Sequence, residues 1–395
     1  MAFFGNNTVN RIYLHYSIHA FAMGAGGIFL LVFLLRAGVS LPHTLLTLAA
    51  ILAGRFIFRP IVLPLAKRFG LKPMVVFGSI ALGAQYPVLA EVDGVGWTLA
   101  AFVVVSSLGE VFYWTSYHAY FTAVGDTEHR GHQISAREAL ASIAGIVAPL
   151  AGAWGLVALG PRSTFALVCV IQALSAVPLL RTPNIPVKQI APGAFRAARL
   201  GVMLFFVDGW FAATYLIIWQ VALFISLGES FSAYGGAMAL AALVGAIAGM
   251  FLGRHIDAGH GARAVAIAFA VTMSVVVLRA ISLDSPVLAV TANALGALVT
   301  CLLVPTQMTP VYNMAKASPC PLRFHIATEG GWDVGCFTAS LMAAALVAMN
   351  VSLSVVVLLA APAVIAMALL LRGYYARNAV AIDAEVAQPM ASPVP

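Results

Sequence analysis

Apolar residues fill this chain in runs of about twenty or more, broken by short clusters of Gly, Pro or charge instead of by the polar face of an amphipathic helix. A hydrocarbon core of about 30 Å takes roughly 20 helical residues to cross. Twelve such runs are present, over 11–37, 42–66, 73–92, 96–122, 136–159, 162–181, 199–227, 232–256, 262–283, 286–314, 326–349 and 351–373. Uninterrupted runs of this length predict helices, because barrel strands alternate polar and apolar residues over about ten positions. The longest polar connection, TPNIPVKQIAPGAFRAA from Thr182 to Ala198, is Pro-rich and basic and splits the spans six and six. The expected organisation is an N-terminal six-helix bundle over 1–181, a cytoplasmic linker over 182–198, a C-terminal six-helix bundle over 199–373 and a disordered cytoplasmic tail over 374–395.

Composition excludes the soluble classes. Hydrophobic residues make up 62% and charged residues 9% of the 395, with a mean hydropathy of +0.97, whereas a soluble domain carries about 25% charge. The net charge of +7 does not mark a nucleic-acid surface, because most of the 21 Lys and Arg fall in alternate connections, and only Arg36, Arg162 and Arg279 sit at the other ends of the spans. That sidedness is the positive-inside pattern, and it puts both termini in the cytoplasm. Cys169, Cys301, Cys320 and Cys336 form no C-x-x-C pair, and no metal site or cofactor is indicated. No G-x-x-x-x-G-K-[ST], H-E-x-x-H or G-x-S-x-G is present, so neither an ATPase nor an intramembrane hydrolase is expected. The chain reads as a membrane protein that is not an enzyme.

The two halves repeat one another. Spans 1 and 7 close on Gly38 and Gly228, spans 2 and 8 run into the glycine-containing basic turns PLAKRFGLK and GRHIDAGHGAR, and spans 5 and 11 open with ISAREALASIAG and HIATEGGWDVGC, which sets Glu138 opposite Glu329. The turn Gly253-Arg-His-Ile-Asp257-Ala-Gly-His-Gly261-Ala-Arg263 is similar to the G-x-x-x-D-R-x-G-R-K loop of the major facilitator superfamily, and Arg68, Gly70 and Lys72 are its counterpart in the first half. Arg130-Gly131 resembles the family's R-G element, and Gly145-x-x-Ala148-Pro149-x-x-Gly152 resembles the span 5 motif of its proton-coupled exporters. The resemblance runs over about 11–373. It implies twelve transmembrane helices in two pseudo-symmetric bundles, alternating access to one central site lined by spans 1, 4, 7 and 10, and a gating role for Asp257.

Small-residue stripes follow helical spacing: Gly245, Gly249 and Gly253 in span 8, and Gly331, Gly335, Ala339 and Ala343 in span 11. Ala141, Gly145 and Pro149 in span 5 and Ala50 and Gly54 in span 2 answer them, which predicts close 5–8 and 2–11 contacts. Opposite charges at the same helix ends suggest gating pairs, Glu138 with Arg254 and Glu329 with Arg59.

An ionised group in mid-membrane costs about 2.5–3.5 kcal/mol on insertion scales, so a deep one needs a partner, a proton or a wet cavity. His19, Glu110, Asp208 and Asp333 are the candidates for proton coupling. Asp208 and His19 lie at similar depth in spans 7 and 1 and are expected to meet across the halves, and Arg55 is the expected counter-ion of Glu110. Solute contacts are expected from His15, His19, Arg55, Tyr113, Tyr117, His118, Trp210 and Gln307, with aromatic packing as the competing role of the rings. The reading is a monomeric secondary active transporter of a small organic solute in the cytoplasmic (inner) membrane, coupled to protons, with export favoured. Proton-linked uptake of a polar or anionic solute and a non-transporting membrane sensor or assembly subunit are its rivals.

Overall fold

The computed structural model describes residues 5–125, 130–256 and 261–387. Its spanning helices are α1 Asn7–Arg36, α2 Leu41–Phe69, α3 Leu71–Ala90 and α4 Trp97–Val124, α5 Arg130–Ala158, α6 Gly160–Arg181 and α7 Arg199–Ser226, α8 Phe231–Ile256, α9 Gly261–Ala280, and α10 Pro286–Ala317, α11 Pro321–Ala348 and α12 Leu353–Ala376. Among the described residues, eleven meet the length and hydropathy needed to cross a membrane. In α9 the apolar stretch with described side chains is the shorter Ala266–Ala280. Most ends agree with the hydropathy pattern to within four residues, the exceptions being the earlier starts of α5 and α11 and the end of the last helix, and local chemistry marks several of them. Asn6 accepts from the N–H groups of Thr8 and Val9 at the start of α1. Proline occupies the first turn of α2, α6, α10 and α11.

The internal repeat is visible in the backbone. Gly38 and Gly228 take left-handed φ of +82° and +66° after α1 and α7, the conformation that favours glycine. The pairings α1–α5, α1–α6, α2–α4, α3–α4 and α3–α6 recur as α7–α11, α7–α12, α8–α10, α9–α10 and α9–α12. Between the halves, α5 packs on α8 and α2 on α11, each contact being the image of the other. The outward faces are apolar, as with Ile143, Trp154 and Leu369, which suits lipid.

Particular small residues differ from expectation in what they touch. A methyl group on Gly335 would strike the Phe206 carbonyl of α7, and one on Gly54 would strike Ser107 of α4, so neither glycine lies in the α2–α11 contact. In that contact Ala339 packs with Leu48 and Leu52, and Gly330 faces Phe56 and Arg59. In the other pair, Gly235 of α8 meets Ala153 and the Pro149 carbonyl, and Gly145 meets Ala242.

Two segments depart from regular α-helix or from the expected order. Ala212–Ile218 within α7 is a π-helix, whose Tyr215 carbonyl accepts from the Arg279 guanidinium. Arg279, expected at a water-facing end, is instead buried against the Tyr215 and Trp219 rings. The last helix runs from Ala360 to Ala387, so the expected disorder from Tyr374 does not hold up to Ala387. The segment is rich in Ala and meets no proline until Pro389. The linker is tied down: Asn184 donates to the Phe69 carbonyl and accepts from the Lys72 N–H, and Arg323 donates to the carbonyls of Lys188 and Gln189.

Candidate functional site

A cavity of about 560 Å³ lies between the halves and takes residues from α1, α2, α3, α4, α5, α7, α10 and α11, a volume typical of small-molecule sites. Contacts between the halves are made toward both faces. On the face that carries the termini, Lys316 of α10 donates to the carbonyls of Thr122, Ala123 and Gly125 at 3.3–3.4 Å, and Thr122 lies 3.0 Å from His325 of α11. At the opposite face Tyr234 of α8 donates to the Ile28 carbonyl of α1 at 3.1 Å.

Four charges in helical register form a cluster at the cavity's edge, of which Arg55 and Glu329 line it. Arg55 and Arg59 stand four residues apart on α2, and Glu329 and Asp333 four apart on α11, so each pair shares a helix face. Arg55 lies 3.3 Å from Glu110 of its own half and, across the boundary, 3.3 Å from Glu329 and 2.9 Å from Asp333. Arg59 pairs with Asp333 and donates to Thr115 at 2.6 Å. Asp333 is 0% and Arg55 5% exposed, so salt screens these pairs little. The expected Glu329–Arg59 pair is therefore replaced by Glu329–Arg55 and Asp333–Arg59. Arg59 is drawn to the fully buried Asp333, while the second oxygen of Glu329 turns to His118 at 3.5 Å.

From His118 the polar chain continues. His118 lies 2.6 Å from the Tyr312 hydroxyl, which accepts from Arg137 at 3.4 Å, and Arg137 donates to Glu138 at 2.9 Å. Glu138 is thus held by its neighbour in sequence; the side chain of its expected partner Arg254, and all of Asp257, lie outside the described residues. Arg137, Gln85, Gln220 and Trp332, none of them among the expected site residues, also line the cavity. The Arg137-Glu138 pair in AREA was a usable signal for the first; nothing in the sequence singled out the other three.

The remaining candidates divide by location. Glu110, Asp208, Arg55, His118, Gln307, Glu138 and Glu329 line the cavity. His15, His19, Tyr113 and Tyr117 instead build a buried knot inside the first half: His15 contacts the Ser175 carbonyl at 2.7 Å and the Tyr113 hydroxyl at 3.1 Å, His19 contacts Gln172 at 3.1 Å, and Tyr113 stacks on Tyr117. Trp210 is turned to α12, donating to the Leu359 carbonyl at 2.8 Å. The expected meeting of Asp208 with His19 is not formed, because His19 is satisfied by α6 and Asp208 by the Trp332 indole N–H at 3.1 Å and by the Gln307 amide. Among the described residues, no group of three or more His, Cys, Asp or Glu is arranged to hold a metal ion.

Residues 12–318 match the family model described as Major Facilitator Superfamily. Solved structures share the fold at low identity. The human organic anion transporter MFSD10 (TETRAN) is similar with a TM-score of 0.66 at 13% identity, over 91% of this chain and 99% of that one. The transporter FucP in the outward conformation gives 0.66 at 14%, over 93% and 98%. A variant of the E. coli fucose:proton symporter FucP gives 0.65 at 15%, again over 93% and 98%. No curated protein sequence matches the chain.

Proposed function

Because the chain belongs to the Major Facilitator Superfamily, a family of multi-pass membrane transporters, we propose that it is a proton-coupled secondary transporter that moves a small organic solute out of the cell by alternating access. The observation that carries this reading is the Arg55–Glu329 contact across the halves, beside a cavity of about 560 Å³. Three carboxylates, Glu110, Glu329 and Asp333, share two guanidiniums, Arg55 and Arg59. One negative charge is left over in a low-dielectric wall, and a single proton neutralises the group. When the halves separate, Arg55 keeps Glu110, which is in its own bundle, while the acids of α11 lose their partners and take up a proton. Closure returns the guanidiniums and expels it. A contact made in only one state favours that state by its differential energy, about 1–3 kcal/mol for such a pair. The cycle runs at an inner membrane with both termini cytoplasmic, in line with the distribution of Lys and Arg, in a monomer. Export rests on the likeness of Gly145 to Gly152 to the exporter motif. Uptake of an anionic solute is less well supported, since both cavity arginines, Arg55 and Arg137, are already paired with carboxylates.

The test is the purified full chain in liposomes, with an imposed pH gradient and a panel of labelled solutes. Gradient-driven flux of at least one solute, lost in Glu329→Gln while solute exchange persists, is the expected result. Binding of solutes with no flux under any gradient would move the protein to the sensor class.

A further inference from the structure

The chemistry of the cavity wall bears on the class of solute, an inference that rests on the transport reading above. Four carboxylates line the cavity, Glu110, Glu138, Asp208 and Glu329, against the two guanidiniums of Arg55 and Arg137. The guanidiniums are consumed: Arg55 by Glu110 and Glu329, Arg137 by Glu138. Asp208 differs from the other three. Among the described residues no Lys, Arg or His pairs with it, and the groups it accepts from are neutral, the indole N–H of Trp332 at 3.1 Å and the amide of Gln307. An indole donor orients a carboxylate without cancelling its charge. Besides Gln307, the cavity carries Phe205, Phe211 and Trp332, so no opposite charge offsets the carboxylate and ring faces are at hand for a cation.

We infer that the solute is a monovalent organic cation with an apolar body, its charged centre seated at Asp208 and its body against Phe205, Phe211 and Trp332. An organic anion would meet an unpaired carboxylate and no free guanidinium. A metal cation would need several oxygen ligands around it, and no such group is assembled among the described residues. A protonated amine or quaternary centre needs one counter-charge and a ring or two, which is what the wall supplies.

The experiment uses two ions of matched shape and opposite charge, tetraphenylphosphonium and tetraphenylborate, titrated against the purified full chain in detergent. Asp208→Asn and Asp208→Glu are compared at equal thermal midpoint and elution volume. The expected result is saturable binding of the phosphonium and none of the borate, with affinity reduced about tenfold or more in Asp208→Asn and retained within a few-fold in Asp208→Glu. Equal binding of both ions, binding of neither by folded protein, or an unchanged affinity in Asp208→Asn would overturn the inference. The transport reading fails separately. Gradient-driven flux of a neutral polyol without phosphonium binding sinks the cation class alone, whereas phosphonium binding that never leads to flux upholds the cation class and sinks transport.

Discussion

Arg55 and Glu329, 274 residues apart in the chain, meet at 3.3 Å across the boundary between the two bundles. The same guanidinium holds Glu110 within its own bundle, so it belongs to a site inside one half and to a contact between the halves at once.

Charge counting ranks the substitutions in this wall. Glu329→Gln leaves two carboxylates for two guanidiniums and is expected to cost little stability. Arg55→Ala leaves three buried carboxylates on Arg59 alone and is expected to cost about 3–5 kcal/mol, unless protons are taken up instead. Thermal unfolding in detergent, with proton uptake followed by a pH dye, checks the order; an Arg55→Ala protein as stable as Glu329→Gln would show that the wall is not one electrostatic unit.

The double exchange Arg55→Glu with Glu329→Arg is expected to recover part of the flux that each single change removes, since the contact is between those two groups. The exchange of Arg59 with Glu329 is expected to recover none, because Arg59 is held by Asp333. Flux in liposomes distinguishes the two.

Lys316 ties α10 to the last carbonyls of α4 on the terminal face, a contact expected to restrict access from that side. Lys316→Met is expected to speed alkylation of a cysteine placed at Gln307 severalfold when an impermeant maleimide is added on that face, in a background without the four native cysteines. No change in rate would mean that the closure does not depend on this side chain.

Backbone contact between α7 and α11 is close enough that Gly335→Ala should destabilise by about 1–3 kcal/mol, because the groups met are the Phe206 carbonyl and the Trp210 N–H, which cannot swing aside. Gly236→Ala meets nothing within 4 Å and is expected to be neutral or slightly stabilising. Melting curves of the pair test both.

Outside the membrane span, Arg162 donates to both oxygens of Glu91 at 2.7 Å and holds its carboxyl below the ordinary 4.5. A carboxyl whose pKa falls on folding adds stability above its unfolded value and loses it as pH drops through the folded one. The melting point of the native chain should therefore exceed that of Glu91→Gln slightly at neutral pH, with the gap closing as pH falls below 4.5. Both groups are exposed, so the gap is small.

The spans and the repeat were legible because hydropathy alone dictates them: a segment that must cross oil declares itself over twenty residues, and Gly38 and Gly228 declare their turns. The acids and arginines of α2 and α11 were legible as charges at depth. Which of them paired was not, since the long stems reach diagonally and Asp333, being the more buried, draws both guanidiniums. The histidines misled for a similar reason. His15 and His19 share a face of α1, but that face turns to α4 and α6, where Tyr113, Ser175 and Gln172 satisfy them, and no property of the segment itself tells an inward face from a cavity face. The helix to Ala387 was missed because low hydrophobicity was read as disorder, when lack of hydrophobicity alone does not stop a helix from continuing.

Asp208 and Gln220 both reach the cavity from α7, although twelve residues of unbroken α-helix would leave them about 120° apart in azimuth. The π-helix of Ala212–Ile218 between them takes up a surplus residue and brings that angle back to about 20°. Were such an insertion to move along the helix, each residue it crossed would rotate by about 100° while the ends stayed still. Tyr215 would then turn toward or away from the solute, and α7 would act as a camshaft whose bearings never move.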